Sequence, residues 1–123
     1  MKIIHTPNAP AAIGPYSQAI VSNGTLYVSG QIPVNPATGA FSGDTIAAQA
    51  EQSCKNVGAI LEAAGVGFDK VVKTTCFLAD MGDFAAFNAV YERYFTGRPA
   101  RSCVAVRQLP KNVLVEVELI AET

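Results

Sequence analysis

Arg101, Cys103, Glu116 and Glu118 are the residues of this 123-residue chain whose types and spacing point to chemistry. The first two stand at alternate positions of one apolar run, Arg101 to Arg107, and the last two at alternate positions of another, Val113 to Ala121. Period-two alternation marks β-strands and puts each pair on one face of its strand. With Gln108 to Lys111 as a four-residue loop, the two runs are expected to form a hairpin in which Cys103 faces Glu116 and Arg101 faces Glu118. A one-residue slip would set both carboxylates among Val104, Val106, Val113 and Val115, where unpaired charge is costly. This register gathers a guanidinium fork, a thiol and two carboxylates. The fork can hold a carboxylate through two parallel hydrogen bonds. A carboxylate can orient water or move a proton, and a thiol can react or pack. A purely structural reading fits the same spacing: Arg101 pairs with Glu118 on a half-solvated face and Cys103 is filler.

Other chemistry finds little support. His5 is the only histidine, so a Ser-His-Asp or Cys-His arrangement would depend on a residue near a mobile end. Gly65-Val66-Gly67 lacks the third glycine of a dinucleotide fingerprint and follows a helix. Cys54, Cys76 and Cys103 are odd in number and far apart, which fits reduced thiols better than disulfides or a zinc site, and no metal is expected. Tyr16, after Gly14-Pro15, either offers its hydroxyl to a site or caps a core. Ser29-Gly30-Gln31 is either a plain turn or a place where backbone N–H groups meet a ligand. Asn88 falls in a helix, as a solvated residue or a site residue.

The elements that must carry these residues follow from periodicity. Ser17 to Val21 and Leu26 to Ser29 flank Asn23-Gly24, a tight hairpin turn; Asn23-Gly24-Thr25 also matches the glycosylation pattern, but the turn explains it. Gly30 to Gly43 reads as a loop or irregular hairpin. Asp44 is the expected N-cap of a helix whose apolar face is Ile46, Ala50, Cys54, Val57, Leu61 and Ala64, ended by Gly65. Val71 to Leu78 reads as a strand buried on both faces. Asp83 is expected to cap a second helix with Phe84, Phe87, Tyr91 and Tyr94 or Phe95 inside, and Gly97 and Pro99 end it. The two final strands complete an α+β sandwich of one domain, residues 1–123, with one sheet of five or six strands and two helices on one face.

Composition adds a partner. The chain is 50% hydrophobic and 15% charged, against a usual charged share of about 25%. A small monomer needs more polar covering than that. The sheet face left bare by two helices is therefore expected to meet another copy, with the side carrying Val104, Val106, Val113, Val115 and Val117 as a contributor. Nine Lys+Arg against ten Asp+Glu, without a basic run, give no footprint for nucleic acid or anionic membrane. Residues 3 to 43 carry no Asp, Glu, Lys or Arg, but five prolines interrupt them, so they cannot span a bilayer. The N-terminus has no apolar run suited to a signal peptide, and a cytoplasmic protein is expected.

Four segments carry a further signal: Ala12-Ile13-Gly14-Pro15-Tyr16-Ser17-Gln18-Ala19, Ser29-Gly30-Gln31-Ile32-Pro33, Pro99-Ala100-Arg101-Ser102-Cys103-Val104 and Val115-Glu116-Val117-Glu118. In this order they resemble the RidA (YjgF/YER057c/UK114) family over nearly the whole chain, and its imine deaminase branch most. The resemblance implies a chorismate-mutase-like fold (bacillus type), with one mixed sheet, and a homotrimer around a central barrel-like core, with sites in the clefts between subunits. The implied activity is that of a 2-iminobutanoate/2-iminopropanoate deaminase, which hydrolyses reactive imines and enamines such as 2-aminoacrylate to 2-oxo acids and ammonia without a cofactor. Carried over by residue, Arg101 would hold the substrate carboxylate, Glu116 would position water or transfer a proton, and Tyr16 would act beside them. Ser29, Gly30, Asn88 and Cys103 would line the cleft. The stretch from Phe95 to Pro99 is shorter than in many relatives. Two rival functions remain: an endoribonuclease or translation inhibitor, for which the chain has no basic stripe and no His pair, and a non-catalytic sensor of 2-oxo acids. Glu116 favours catalysis over sensing, since a carboxylate receptor gains nothing from a second negative charge beside its ligand.

Overall fold

Asn23 and Gly24 both take positive φ, 51° and 76°, and close the two-residue turn expected of them, because such a turn matches the twist of its flanking strands. It joins β2 (Ala19–Ser22) to β3 (Thr25–Gln31). The computed structural model describes residues 1–123, and five further main elements complete the list after β3. They are α1 (Ile46–Ala63), β4 (Val71–Leu78), α2 (Phe84–Tyr94), β5 (Ala100–Ala105) and β6 (Val115–Glu122). Before the hairpin lies β1 (Lys2–Ile4), so the end expected to be mobile is an edge strand, with His5 exposed just beyond it.

Ala50, Cys54, Val57 and Leu61 form the buried side of α1, as their spacing predicts, with Ile60 buried beside them and Ile46 and Ala64 half-buried at the two ends. Its N-cap is Thr45 rather than Asp44: the threonine side chain accepts the Ala48 N–H at 3.2 Å. Asp83 occupies the N-cap position of α2 without a side-chain bond, and Asp80 does the capping one turn earlier by accepting the Gly82 N–H at 2.7 Å. The Gly30–Gly43 stretch is an irregular hairpin, bridged at Val34 and Phe41. Buried Asn56 of α1 holds it by donating to the carbonyls of Ile32 and Val34 at 3.1 and 2.9 Å.

The single mixed sheet runs β1-β2-β3-β6-β4-β5, antiparallel throughout except for the parallel pair β4–β5. The connections β3–α1–β4 and β4–α2–β5 both advance in one direction across it. Right-handed crossovers that advance the same way place their helices on the same face. The core lies between that face and the helices, with Leu26, Val28, Cys76, Leu78, Val115, Val117 and Leu119 from the strands meeting Val57, Ile60, Leu61 and Phe87 from the helices.

This topology overturns the expected final hairpin. β5 and β6 do not pair, because β6 inserts between β3 and β4, and β4 then separates it from β5. Cys103 stands level with Cys76 and Val117, and Arg101 with Thr74 and Leu119, whereas Glu116 shares a row with Phe77 and Val104. Arg101 and Cys103 therefore lie on the helix side and Glu116 and Glu118 on the bare side. The alternation within each strand is as read; the relation between the strands is reversed by the interposed β4. Arg101 accordingly makes no pair with Glu118.

Two burial expectations change with it. β4 is buried on one face only: Val71, Thr74, Cys76 and Leu78 point inward, while Thr75 and Phe77 are half-buried on the bare face. Val115 and Val117 belong to the helix-covered core, and Val113, just ahead of β6, is buried as well. The bare face instead carries Ile3, Ile20, Tyr27, Phe77, Val104 and Ile120, interspersed with Lys73, Thr75, Ser102, Glu116 and Glu118. Ile3, Tyr27 and Val104 are 63%, 50% and 45% exposed, apolar groups on a face that no element of this chain covers.

Candidate active site

Arg101 leaves β5 toward α2, which presents Phe84, Asn88 and Tyr91 along one ridge at steps of four and three. One guanidinium nitrogen donates to Asn88 Oδ1 at 2.6 Å. The guanidinium carbon lies 4.7 Å from the Tyr91 ring centre and 5.4 Å from that of Phe84, so two aromatic faces hold the cation. Tyr91 is itself fixed by a 2.8 Å hydrogen bond between its hydroxyl and Thr74 Oγ1. The one ion pair in the structure joins Arg93 to Glu51. Arg101 is thus positioned on three sides and has no carboxylate partner.

Cys103 lies two residues further along the same face, half-buried. Burial pushes its thiol up, and the nearby Arg101 charge offsets part of that rise. Cys76 in the adjoining strand is pushed up to about 12, mainly by burial. These are neutral thiols, suited to a wall rather than a nucleophile. A groove of about 520 Å³ opens beside Arg101, bordered by Asn88, Tyr91, Glu92, Arg98 and Arg101, and Cys103 is not among the residues that line it.

The other candidate residues gather at β3. Glu116 reaches from β6 across the bare face onto Gly30, so closely that a Cβ there would lie 2.1 Å from Glu116 Oε2. Burial, and secondarily the charge of Glu118 two residues away on the same face, raise the Glu116 carboxyl above the usual carboxylate range. Ser29 donates its hydroxyl to the Ser17 carbonyl at 2.6 Å and its N–H to the Gln18 carbonyl at 2.9 Å. Those bonds fix the strand that follows Tyr16. The half-exposed Tyr16 ring borders two grooves, one of about 440 Å³ shared with Gly30 and one of about 450 Å³ shared with Ser29.

Gln18 was not singled out from the sequence, yet it organises this region. Its amide nitrogen donates to the carbonyls of Thr6, Ala9 and Pro10, and its oxygen accepts the Thr6 N–H at 2.7 Å. The helical stripe assigns Phe84 and Tyr91 to the core alone; their spacing from Asn88 is the signal in the sequence for a place under Arg101. The structure therefore brings Arg101, Asn88 and Cys103 together on the helix-side edge, and Tyr16, Ser29, Gly30 and Glu116 together around β3. It does not join the two groups within one chain, since two strands lie between β3 and β5 and Arg101 and Glu116 point to opposite faces. No three or more His, Cys, Asp or Glu side chains are grouped so as to hold a metal ion. No helix is long and apolar enough to cross a membrane.

With this geometry in view, comparison with known proteins identifies the lineage. The family model described as endoribonuclease L-PSP matches residues 6–123. The chain belongs to that family, the RidA family. Among its RidA relatives, a 2-iminobutanoate/2-iminopropanoate deaminase of Escherichia coli is 55% identical over 98% of this chain and 96% of its own. A RutC family protein of Synechocystis is 53% identical over 98% of this chain and 95% of its own. The crystal structure of the YjgF gene product from E. coli superposes with a TM-score of 0.94 at 52% identity, covering 99% of this chain and 98% of that one. The α+β fold with one mixed six-stranded sheet is thus the fold of RidA proteins.

Proposed function

We propose that this RidA protein hydrolyses 2-imino and 2-enamino acids, of the 2-iminobutanoate and 2-iminopropanoate type, to 2-oxo acids and ammonia, at sites shared between the subunits of a homotrimer. The observation that carries the reading is Arg101, fixed by Asn88, Tyr91 and Phe84 with its charge unpaired. A guanidinium so placed is ready for the carboxylate these substrates share. The deaminase name of the E. coli relative supports the reaction class.

The remaining parts suit that chemistry. An iminium carbon is already electrophilic, so binding, one proton transfer and an oriented water suffice. Glu116, its carboxyl raised by burial, stands ready to protonate an enamine at carbon, then accept a proton from the attacking water and pass it to the departing nitrogen. Cys103 serves as wall. Because Arg101 and Glu116 face opposite sides of one sheet, the site closes only when the β5 edge of one subunit meets the β3 region of the next. The bare sheet face supplies the apolar surface for such an assembly.

Imino acids made in situ by an amino acid oxidase, with ammonia release followed, test the proposal. Arg101→Ala removes one partner of a desolvated ion pair and is expected to lower kcat/KM by about 30- to 5,000-fold. A wild-type protein that leaves the spontaneous hydrolysis rate unchanged overturns the reading, as does an Arg101→Ala variant with undiminished kcat/KM.

A further inference from the structure

The groove beside Arg101 contains a second cation that the reaction above does not use. Arg98 stands in the short link between α2 and β5, and it lines the same groove as Asn88, Tyr91 and Arg101. Its backbone is constrained on both sides. The Arg98 N–H donates to the Phe95 carbonyl at 3.2 Å, its φ is 53°, and Pro99, with its fixed ring, follows. A left-handed conformation is uncommon for any residue but glycine. Gly97 beside it packs on the Asp69 backbone, where even a Cβ would be in van der Waals contact. The link therefore holds Arg98 at the groove mouth on a short tether.

Charge gives this placement a meaning. Arg98 makes no ion pair and no side-chain hydrogen bond, and Arg101 bonds only to Asn88. Two guanidinium groups thus share one groove with a single carboxylate, Glu92. Neither guanidinium has a carboxylate partner, so each is free to take an anionic group, and a ligand with two carboxylates can engage both. At about 520 Å³ the groove falls within the size of small-molecule sites, with room beyond a three- or four-carbon acid.

We propose that Arg98 receives a second carboxylate, so that this site takes dicarboxylic 2-imino and 2-oxo acids as well as monocarboxylic ones. The inference rests on the reading of Arg101 as the clamp for the first carboxylate. Arg101 then holds the C1 carboxylate in the depth of the groove, and Arg98 meets the distal one at the rim. This makes Arg98 a specificity residue, with no part in the proton transfers.

The test compares 2-oxoglutarate with 2-oxobutyrate as equilibrium ligands of wild type, Arg98→Ala and Arg98→Lys, by calorimetry at about 0.15 M salt, where long-range steering is screened. Arg98→Ala is expected to weaken 2-oxoglutarate about tenfold and to leave 2-oxobutyrate within about twofold, with Arg98→Lys between, because a point charge replaces the fork. Equal losses for both acids, or a wild type that does not bind 2-oxoglutarate, overturn the proposal. Turnover of the imines of glutamate and alanine is measured on the same proteins. If no imine is hydrolysed but the Arg98-dependent preference persists, the deaminase reading fails and the second-carboxylate subsite stands. Turnover without that preference has the opposite meaning.

Discussion

Gly30 is glycine because Glu116 occupies the place of its side chain. A methyl group there would overlap the carboxylate, and the carboxylate, at the end of a rotatable chain, is the part that yields. Gly30→Ala is therefore expected to keep the fold, with stability within about 1 kcal/mol of wild type since no core group moves, while kcat falls at least about tenfold as Glu116 is displaced. Unchanged kcat in a folded Gly30→Ala protein would separate Glu116 placement from catalysis. The raised carboxyl of Glu116 also leaves a mark on stability. A group whose folded-state value lies above its unfolded one, about 4.3 for Glu, stabilises fully below the unfolded value and loses that contribution as pH rises through the folded one. Wild type should thus lose urea resistance relative to Glu116→Gln as pH rises from about 4 toward neutrality. Parallel urea midpoints for the two proteins across that range would show that burial does not act on this group. At this scale the sequence singled out Arg101 and Glu116, and the structure places the first on the Asn88 ridge and the second against Gly30. The sequence could not reveal that a glycine makes room for one of them or that Tyr91 and Phe84 support the other, since both facts arise from contacts between distant segments.

Elements were legible wherever one period dominated. The stripe from Ala50 to Leu61 and the Phe87–Tyr91 face turned out to be the buried sides of the two helices. Asn23-Gly24 formed its turn. The placing of β6 was not legible, because alternation says which residues share a face and nothing about which strand lies next door. The choice between a hairpin and insertion beside β3 depends on the long Val106–Leu114 connection and on the parallel pairing of β4 with β5. The N-terminal strand was missed for a related reason: its three residues are short of any period, and its anchoring is indirect. Buried Gln18 holds the segment from Thr6 to Pro10 with hydrogen bonds to four backbone groups. Gln18→Met keeps the volume and removes those bonds, leaving buried polar groups unpaired at a cost of about 1–3 kcal/mol each where water cannot replace the amide. The expected outcome is a loss of roughly 3 kcal/mol in unfolding free energy, with hydrogen exchange of the Thr6 amide accelerated before global unfolding. A Thr6 amide as protected as in wild type would show that this segment is held by other means.

For the molecule as a whole, a low charged fraction on a small chain meets a sheet with one bare apolar face and a candidate site cut in two. These are aspects of one arrangement if the face is covered by further copies of the chain, for a closed ring of subunits repeats the same junction between unlike surfaces at every step. Each junction then joins the Arg101 group of one subunit to the Glu116 group of the next. Arg101→Ala and Glu116→Gln, each expected to be impaired alone, are refolded together in equal amounts to test that geometry. In random trimers a junction is intact when the subunit giving Arg101 and the neighbour giving Glu116 are both unaltered at those positions, so about one quarter of the wild-type activity should return. If both residues of a site came from the same chain, no mixed assembly would contain an intact site and activity would stay at the level of the separate variants. A return of activity also requires the chains to associate, so the mixture should elute at three times the mass of one chain. A monomer that retained full wild-type activity would contradict the shared site, since Arg101 and Glu116 cannot reach one another across the sheet that separates them.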